Sequence, residues 1–192
     1  MPLDTLSEVT DEALLILYAN GDGAAARSLT LRLTPRVLAY AARMLSDRSE
    51  AEDVAQEAML RLWRIAADWR QGEAKVATWL YRVAANLCTD RLRRRRTVAL
   101  DDTPEPEDGS RSVMAALIER DRLRALDAAL AALPERQRQA VVLRHIEGLP
   151  NPDIAEIMEI GIEAVESQTA RGKRALAVAL SGQKTALGYE DD

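Results

Sequence analysis

The chain has 192 residues, of which 47% are apolar and 30% are charged. Glycine and proline are sparse, at 9 and 7 residues, and there is one cysteine, which excludes a low-complexity chain and an internal disulfide framework. The net charge of -5 does not by itself indicate a nucleic-acid partner.

Four amphipathic helices are predicted in the first half of the chain. Ala, Leu, Arg and Glu dominate and strand-forming runs are few, so no sheet is expected. Apolar residues recur at helical spacing in four segments, residues 14–18, 29–45, 54–65 and 78–96. Ser49 and Glu52 fit a capping box that would start the third helix.

A basic cluster is followed directly by an acidic stretch. The cluster lies at the end of the fourth helix and consists of Arg91, Arg93, Arg94, Arg95 and Arg96. Capping of the helix dipole needs fewer cations, so we interpret the cluster as binding phosphates, with a solvated helix end as the alternative. Residues 101–111 contain two prolines, one glycine and five acids, which predicts a flexible, solvated linker.

The second half of the chain predicts a helix-turn-helix. Residues 113–133 have a helical pattern, and Pro134 suits the first turn of the next helix. Asn151 and Pro152 are typical of a cap followed by a first-turn proline, and a tight turn then leads into a helix over residues 162–180. Such a pair can place its second helix in a DNA major groove, although two helices that only pack together give the same pattern.

We therefore expect an all-α fold of two small helical domains joined by a flexible acidic linker. The predicted boundaries are residues 1–98, a linker over 99–112, a second domain over 113–181 and a tail over 182–192. Cys88 lies in an apolar segment and is expected to be a buried, inert thiol. No signal-peptide pattern and no apolar run of about 18 residues is present, so a cytoplasmic protein is expected.

Two stretches resemble the extracytoplasmic-function branch of the bacterial sigma-70 family. AEDVAQEAMLRLWR (51–64) and TWLYRVAANLCTDRLRRRR (78–96) are similar to the family's region two. LPERQRQAVVLRHIEGL (133–149) and PDIAEIMEIGIEAVESQTARGKRAL (152–176) are similar to its region four. The resemblance implies a sigma factor that binds core RNA polymerase and directs promoter-specific initiation, with no catalytic site, cofactor or metal.

The resemblance also assigns three binding surfaces. One face of the third helix would dock on the clamp helices of the polymerase's largest subunit, through Asp53, Gln56, Glu57, Leu60 and Trp63. The fourth helix, with the loop of residues 68–77, would bind and melt the -10 element, through Trp79, Arg82, Asn86, Asp90, Arg91, Arg93 and Arg94. The last helix would read the -35 element through Glu163, Glu166, Ser167, Gln168, Arg171 and Arg174. A solvated face is the alternative for the docking surface, and a core position is the alternative for the tryptophans.

The second domain departs from the family pattern around its turn. Glu159 stands where the family usually has a glycine, and Gly161 stands where it usually has a cap serine. Glu166 and Gln168 occupy positions that are commonly basic, and Gly172 lies inside the helix. These changes remove positive charge and lower local stability, by about 1 kcal/mol for a mid-helix glycine. A glutamate can accept from a cytosine amino group, so specificity could shift rather than disappear.

Other classes of function explain less of the chain. A helix-turn-helix regulator that acts without polymerase leaves the first domain unexplained, and a sigma mimic that titrates an inhibitor usually carries a receiver domain. An enzyme is disfavoured because the single histidine, His145, has no Cys or carboxylate constellation and no glycine-rich phosphate loop is present. By resemblance, an anti-sigma factor is the expected regulator and could hold the chain at the inner membrane without its own insertion.

Overall fold

The computed structural model describes residue 6, residues 8–70, residue 72, residues 75–98 and residues 114–181. All regular structure in these ranges is helical, which confirms the expected all-α class. The helices are α1 (Asp11–Ala19), α2 (Gly23–Leu45), α3 (Arg48–Ile65), α4 (Val76–Val98), α5 (Met114–Ala131), α6 (Glu135–Val141), α7 (Asn151–Met158) and α8 (Ile162–Ser181). A 3₁₀ turn follows α3, and a π-helical turn over Val142–Ile146 follows α6. The predicted linker and tail lie outside the described residues.

Aspartates cap the two central helices of the first domain. Asp22 accepts from the Ala24 N–H at the start of α2, at 2.8 Å. Asp47 accepts from the Glu50 N–H at the start of α3, at 2.9 Å. The capping box predicted at Ser49 is therefore wrong, because the helix begins earlier and a carboxylate satisfies its free N–H groups while also complementing its dipole.

Pro152 lies in the first turn of α7 as predicted, whereas Pro134 and Asn151 lie differently from their prediction. Pro134 precedes α6 instead of lying inside its first turn. Asn151 is the first residue of α7, which has no side-chain cap, and its amide instead donates to Glu166 Oε1 on α8 at 3.3 Å. Asn151 therefore connects the two helices of the helix-turn-helix.

The first domain packs α2, α3 and α4 around a common core. Trp79 and Val83 of α4 are only half-buried, whereas Tyr81 and Ala85 are buried. The reason is that α4 packs against α7 as well as against α2 and α3. Cys88 is fully buried, and burial raises the pKa of its thiol to about 12, which confirms the expectation of a buried, unreactive group.

The second domain depends on a close crossing of α6 and α8 at Gly172. A Cβ atom on this glycine would lie 2.6 Å from Val141 Cγ2 and 3.1 Å from the Gln137 carbonyl oxygen. The glycine, which was predicted to weaken α8, is the residue that permits the crossing.

Apolar side chains hold the two helices of the helix-turn-helix together. Ile157 and Val165 are buried between α7 and α8, next to the half-buried Ile160. The turn starts at Glu159, whose φ of 53° places it in the left-handed region that favours glycine.

Candidate nucleic-acid and protein interfaces

An apolar groove opens between α2 and α3 on the surface predicted to dock on polymerase. Its volume is about 380 Å³, and its lining includes Gln56, Leu60 and Trp63. Leu60 is 42% exposed and lines this groove, so its apolar side chain faces both the groove and solvent. The structure thus brings three of the five predicted docking residues to one groove that is open to solvent.

The other two docking residues are acids on the same helix. The Asp53 side chain is 66% exposed and lies 3.9 Å from Arg91. Glu57 accepts from Arg61 Nε at 2.8 Å, and this hydrogen bond lowers the pKa of Glu57. Both carboxylates lie on the helix that forms one wall of the groove, but neither lines the groove itself.

Trp63 belongs to both the core and the surface. It is half-buried, and its ring packs against Tyr18 of α1 with a centroid distance of 4.6 Å. Trp63 therefore packs against the core, as the core alternative expects, and also lines the groove.

Five of the predicted -10 residues form one stripe along α4. They recur every three or four residues, and they are Trp79, Arg82, Asn86, Asp90 and Arg93. All but Trp79 are exposed; the Trp79 ring is half-buried and makes an edge contact with Trp69 at 6.2 Å. The remaining two, Arg91 and Arg94, lie off this stripe.

The arginines of the cluster differ in their contacts. Arg95 donates to the Leu45 carbonyl oxygen at the end of α2, at 2.8 Å, and forms ion pairs with Asp47 and Glu50 at 3.2 and 3.0 Å. Arg95 therefore caps α2 and joins it to α3, so its guanidinium is already engaged within the first domain. Arg93 and Arg94 are exposed.

The exposed side of α8 changes charge along its length. Its first turns carry the exposed Glu163 and Glu166, and the later turns carry the exposed Arg171 and Arg174. Ser167 and Gln168 are half-buried, and the Ser167 hydroxyl accepts from Arg171 Nη2 at 2.7 Å.

Sequence reasoning missed a set of polar contacts between α4 and the second domain. Lys75, just before α4, lies 2.9 Å from Asp153 of α7, and Arg82 Nη2 lies 2.9 Å from Glu159. At the other end of α4, the Thr89 hydroxyl donates to Glu135 at 3.0 Å, and Arg96 pairs with the same carboxylate. The helix-turn-helix therefore lies against the helix that carries the predicted -10 residues.

Glu147 forms the buried centre of this contact. Its side chain is 7% exposed; it accepts a hydrogen bond from the Tyr81 hydroxyl and lies 3.9 Å from Arg36 of α2. The Arg36 guanidinium also lies 5.7 Å from the centre of the Tyr81 ring. Burial, together with the hydrogen bond to Glu147, raises the pKa of Tyr81, so the phenol stays protonated and donates.

None of the described helices is long and apolar enough to cross a lipid bilayer.

Comparisons with known proteins cover both halves of the chain. The family profile of sigma-70 region 2 matches residues 29–98, and that of sigma-70 region 4 matches residues 123–176. The chain is 33% identical over 187 residues to the RNA polymerase sigma-H factor of Pseudomonas aeruginosa, which covers 91% of this chain and 96% of the relative. It is 36% identical over 174 residues to the ECF RNA polymerase sigma factor SigM of Mycobacterium tuberculosis. This match covers 88% of this chain and 84% of the relative.

Two solved structures share the fold. CnrH in complex with the cytosolic domain of CnrY gives a TM-score of 0.66 at 24% identity and covers 90% of this chain and 97% of that one. The sigma factor RpoE in complex with the anti-sigma factor NepR, from Bartonella quintana, gives a TM-score of 0.66 at 22% identity and covers 81% and 96%.

Proposed function

Because the chain belongs to the extracytoplasmic-function group of the sigma-70 family, we propose that it is a sigma factor that binds core RNA polymerase and directs initiation at specific promoters. The observation that carries this proposal is the presence of both conserved regions in one chain that matches a sigma factor over 96% of its length. The relatives are initiation factors and not enzymes, and the proposed role needs no cofactor.

The groove between α2 and α3 is the proposed docking site for polymerase. Leu60 and Trp63 supply apolar surface that a partner helix can desolvate, and binding energy concentrates in a few such residues. Asp53 and Glu57 supply negative charge at the rim, which steers a basic partner and sets its orientation.

The α4 stripe is the proposed -10 surface. Arg82 and Arg93 can pair with backbone phosphates, and the exposed edges of Trp79 and Asn86 can contact unstacked bases. A protein that holds one separated strand in this way favours melting, because binding and strand separation become one event. Part of the predicted loop over residues 68–77 lies outside the described residues.

The proposed -35 surface is α8, placed in the major groove by the helix-turn-helix. Arg171 and Arg174 are suited to phosphates or guanine, and Glu163 and Glu166 can accept from a cytosine amino group. Because the charge of this helix is mixed, the DNA affinity of this domain should depend less on salt concentration than that of a uniformly basic domain.

An anti-sigma factor is the proposed regulator of a cytoplasmic protein. The solved structure of RpoE with the anti-sigma factor NepR supports this proposal. Retention at the inner membrane would then come through the partner, since this chain shows no spanning helix among its described residues.

Run-off transcription with purified core polymerase tests the function. We expect a discrete start site on a subset of genomic promoter fragments, present only when the protein is added. A regulator that binds duplex DNA without polymerase, the second candidate, would shift fragments in a gel but give no start site with core enzyme alone. A chain that folds normally but does not associate with core polymerase would refute the proposal.

A further inference from the structure

The polar side-chain contacts between α4 and the second domain all run in the same direction, from a donor to a carboxylate. The donors lie on or just before α4, and the carboxylates lie on the second domain. The pairs are Lys75 and Thr78 with Asp153, Tyr81 with Glu147, Arg82 with Glu159, and Thr89 and Arg96 with Glu135. We refer to the four carboxylates as the acidic face.

The acidic face engages cations that the proposed function assigns to DNA. Arg82 belongs to the α4 stripe, and both its Nε and its Nη2 point to one oxygen of Glu159, at 3.1 and 2.9 Å. Lys75 belongs to the predicted -10 loop, and its Nζ lies 2.9 Å from Asp153 Oδ2. Hydrogen bonding to Asp153 also raises the pKa of Lys75, so the ammonium is charged at neutral pH.

A carboxylate that takes a cation from a DNA-binding surface replaces a phosphate oxygen. Both groups are anionic acceptors that arginine and lysine contact at similar distances. A bound strand and the acidic face therefore cannot both hold Arg82 and Lys75 in these positions.

We propose that the second domain is a built-in competitor of the -10 strand, with Asp153 and Glu159 standing in for its phosphates on Lys75 and Arg82. In this closed form the chain withholds Lys75 and Arg82 from the strand until a nucleic acid displaces the two carboxylates. The inference rests on the proposed function, because it takes α4 as the -10 surface.

Exposure of the pairs explains how the closed form can open. The Arg82 and Glu159 side chains are 45% and 60% exposed, so salt and a competing polyanion reach them. Asn86, Asp90 and Arg93 are exposed further along the stripe and have no carboxylate of the acidic face on them. A strand can therefore bind first at Arg93 and then displace Glu159 from Arg82.

Zero-length cross-linking tests the closed form directly. Lys75 is one of three lysines in the chain, so a carbodiimide, which joins an ammonium to a carboxylate in contact with it, gives few products. With the full chain at about 50 mM salt, where exposed ion pairs persist, we expect a peptide that joins Lys75 to Asp153. The product should be lost at about 1 M salt and in Asp153→Asn. Lys75 joined only to first-domain carboxylates at low salt would overturn the proposal.

Strand binding tests the competition. The probe is a fluorescein-labelled random single strand of about 12 nucleotides, followed by anisotropy with the full chain. The double variant Asp153→Asn, Glu159→Gln should bind about threefold to tenfold more tightly than the unsubstituted chain, since two exposed pairs no longer compete.

A matched variant separates competition from a general gain of positive charge. Glu52→Gln with Asp127→Asn removes the same two charges from exposed positions that do not contact α4 donors. Equal gains in both double variants would overturn the proposal. If Lys75 cross-links to Asp153 but run-off transcription fails, the sigma function is rejected while the contact between the two halves stands. If transcription succeeds without the cross-link, only the competitor is rejected.

Discussion

Gly172 of α8 lies so close to Val141 of α6 that a methyl group on the glycine would stand 2.6 Å from Val141 Cγ2. We therefore expect Gly172→Ala to destabilise the fold by about 1–3 kcal/mol, because overpacking outweighs the gain of about 1 kcal/mol in helix propensity. Urea unfolding followed by circular dichroism measures the change. Gly23→Ala, at a helical glycine with open space around it, is the control and should be neutral or stabilising. Equal stabilities of the two variants would contradict the crossing described here.

Glu159 adopts left-handed backbone geometry, with a φ of 53°. We expect Glu159→Gly to raise the free energy of unfolding by about 1 kcal/mol at about 0.5 M salt, where the exposed pair with Arg82 is screened. Glu159→Ala loses the same ion pair but keeps the strained Cβ, so it should show no gain. If alanine stabilises the chain as much as glycine, backbone strain is not the cause.

Leu60 is 42% exposed at the groove between α2 and α3. We expect Leu60→Asp to weaken binding to core polymerase about tenfold or more, since it places a charge in the apolar part of the proposed interface. The melting temperature should change little. Leu31→Asp, on a 67% exposed leucine of α2 outside the groove lining, serves as the control. A similar loss of binding in both variants would argue against the groove.

Substitution of Arg95 should lower stability, whereas substitution of Arg93 should weaken DNA binding. Arg95→Ala removes the cap of α2 and should lower the free energy of unfolding by about 1 kcal/mol. The loss is small because the side chain is 38% exposed and solvent screens its ion pairs. Arg93→Ala should leave stability within about 0.5 kcal/mol and weaken promoter binding by polymerase holoenzyme. Thermal melts and holoenzyme binding to a promoter fragment check both. The reverse pattern would refute the division of the cluster.

Because the Cys88 thiol is buried, the free energy of unfolding should fall at alkaline pH. Burial raises the pKa of its thiol from 9.0 to about 12 in the folded chain, so the folded state holds the proton more tightly than the unfolded state does. The stabilisation from this group is complete below pH 9 and is lost as the pH rises from 9 towards 12, by at most about 1.4 kcal/mol per pH unit.

Urea unfolding at several pH values tests this dependence against Cys88→Ala. The variant starts from lower stability because of its lost volume, but its stability should fall less steeply above pH 9. Tyr40 and Tyr81, whose pKa values burial also raises, act in the same direction in both proteins. Parallel pH profiles would show that the thiol ionises normally in the folded chain.

Helical periodicity was enough to predict the class of fold and the helix-turn-helix, because each helix has one apolar face that must be buried. The first residue of a helix was harder to predict. Asp47 and Ser49 are both good caps, and which of them starts α3 depends on where α3 meets α2. The role of Gly172 was not readable in one sequence, because the close approach to Val141 is a tertiary contact.

The binding surfaces were predicted by resemblance, and their residue assignments stay predictions. The structure adds which of these residues share a face, such as Arg82 with Asn86 and Arg93. It also adds the contacts of the acidic face, which join residues far apart in the chain; Lys75 and Asp153 are 78 positions apart. No local pattern connects such residues, because each is an ordinary surface charge in its own segment.

The one-way arrangement of donors and carboxylates along α4 means that the two halves of this protein are a matched set. A chimera that takes its C-terminal half from a homologue with glycine at the turn would bring nothing to neutralise Arg82. Such a hybrid would be expected to keep its fold and to lack the competition at Arg82, so a single strand should bind it more tightly than it binds the parent chain unless both halves are exchanged together.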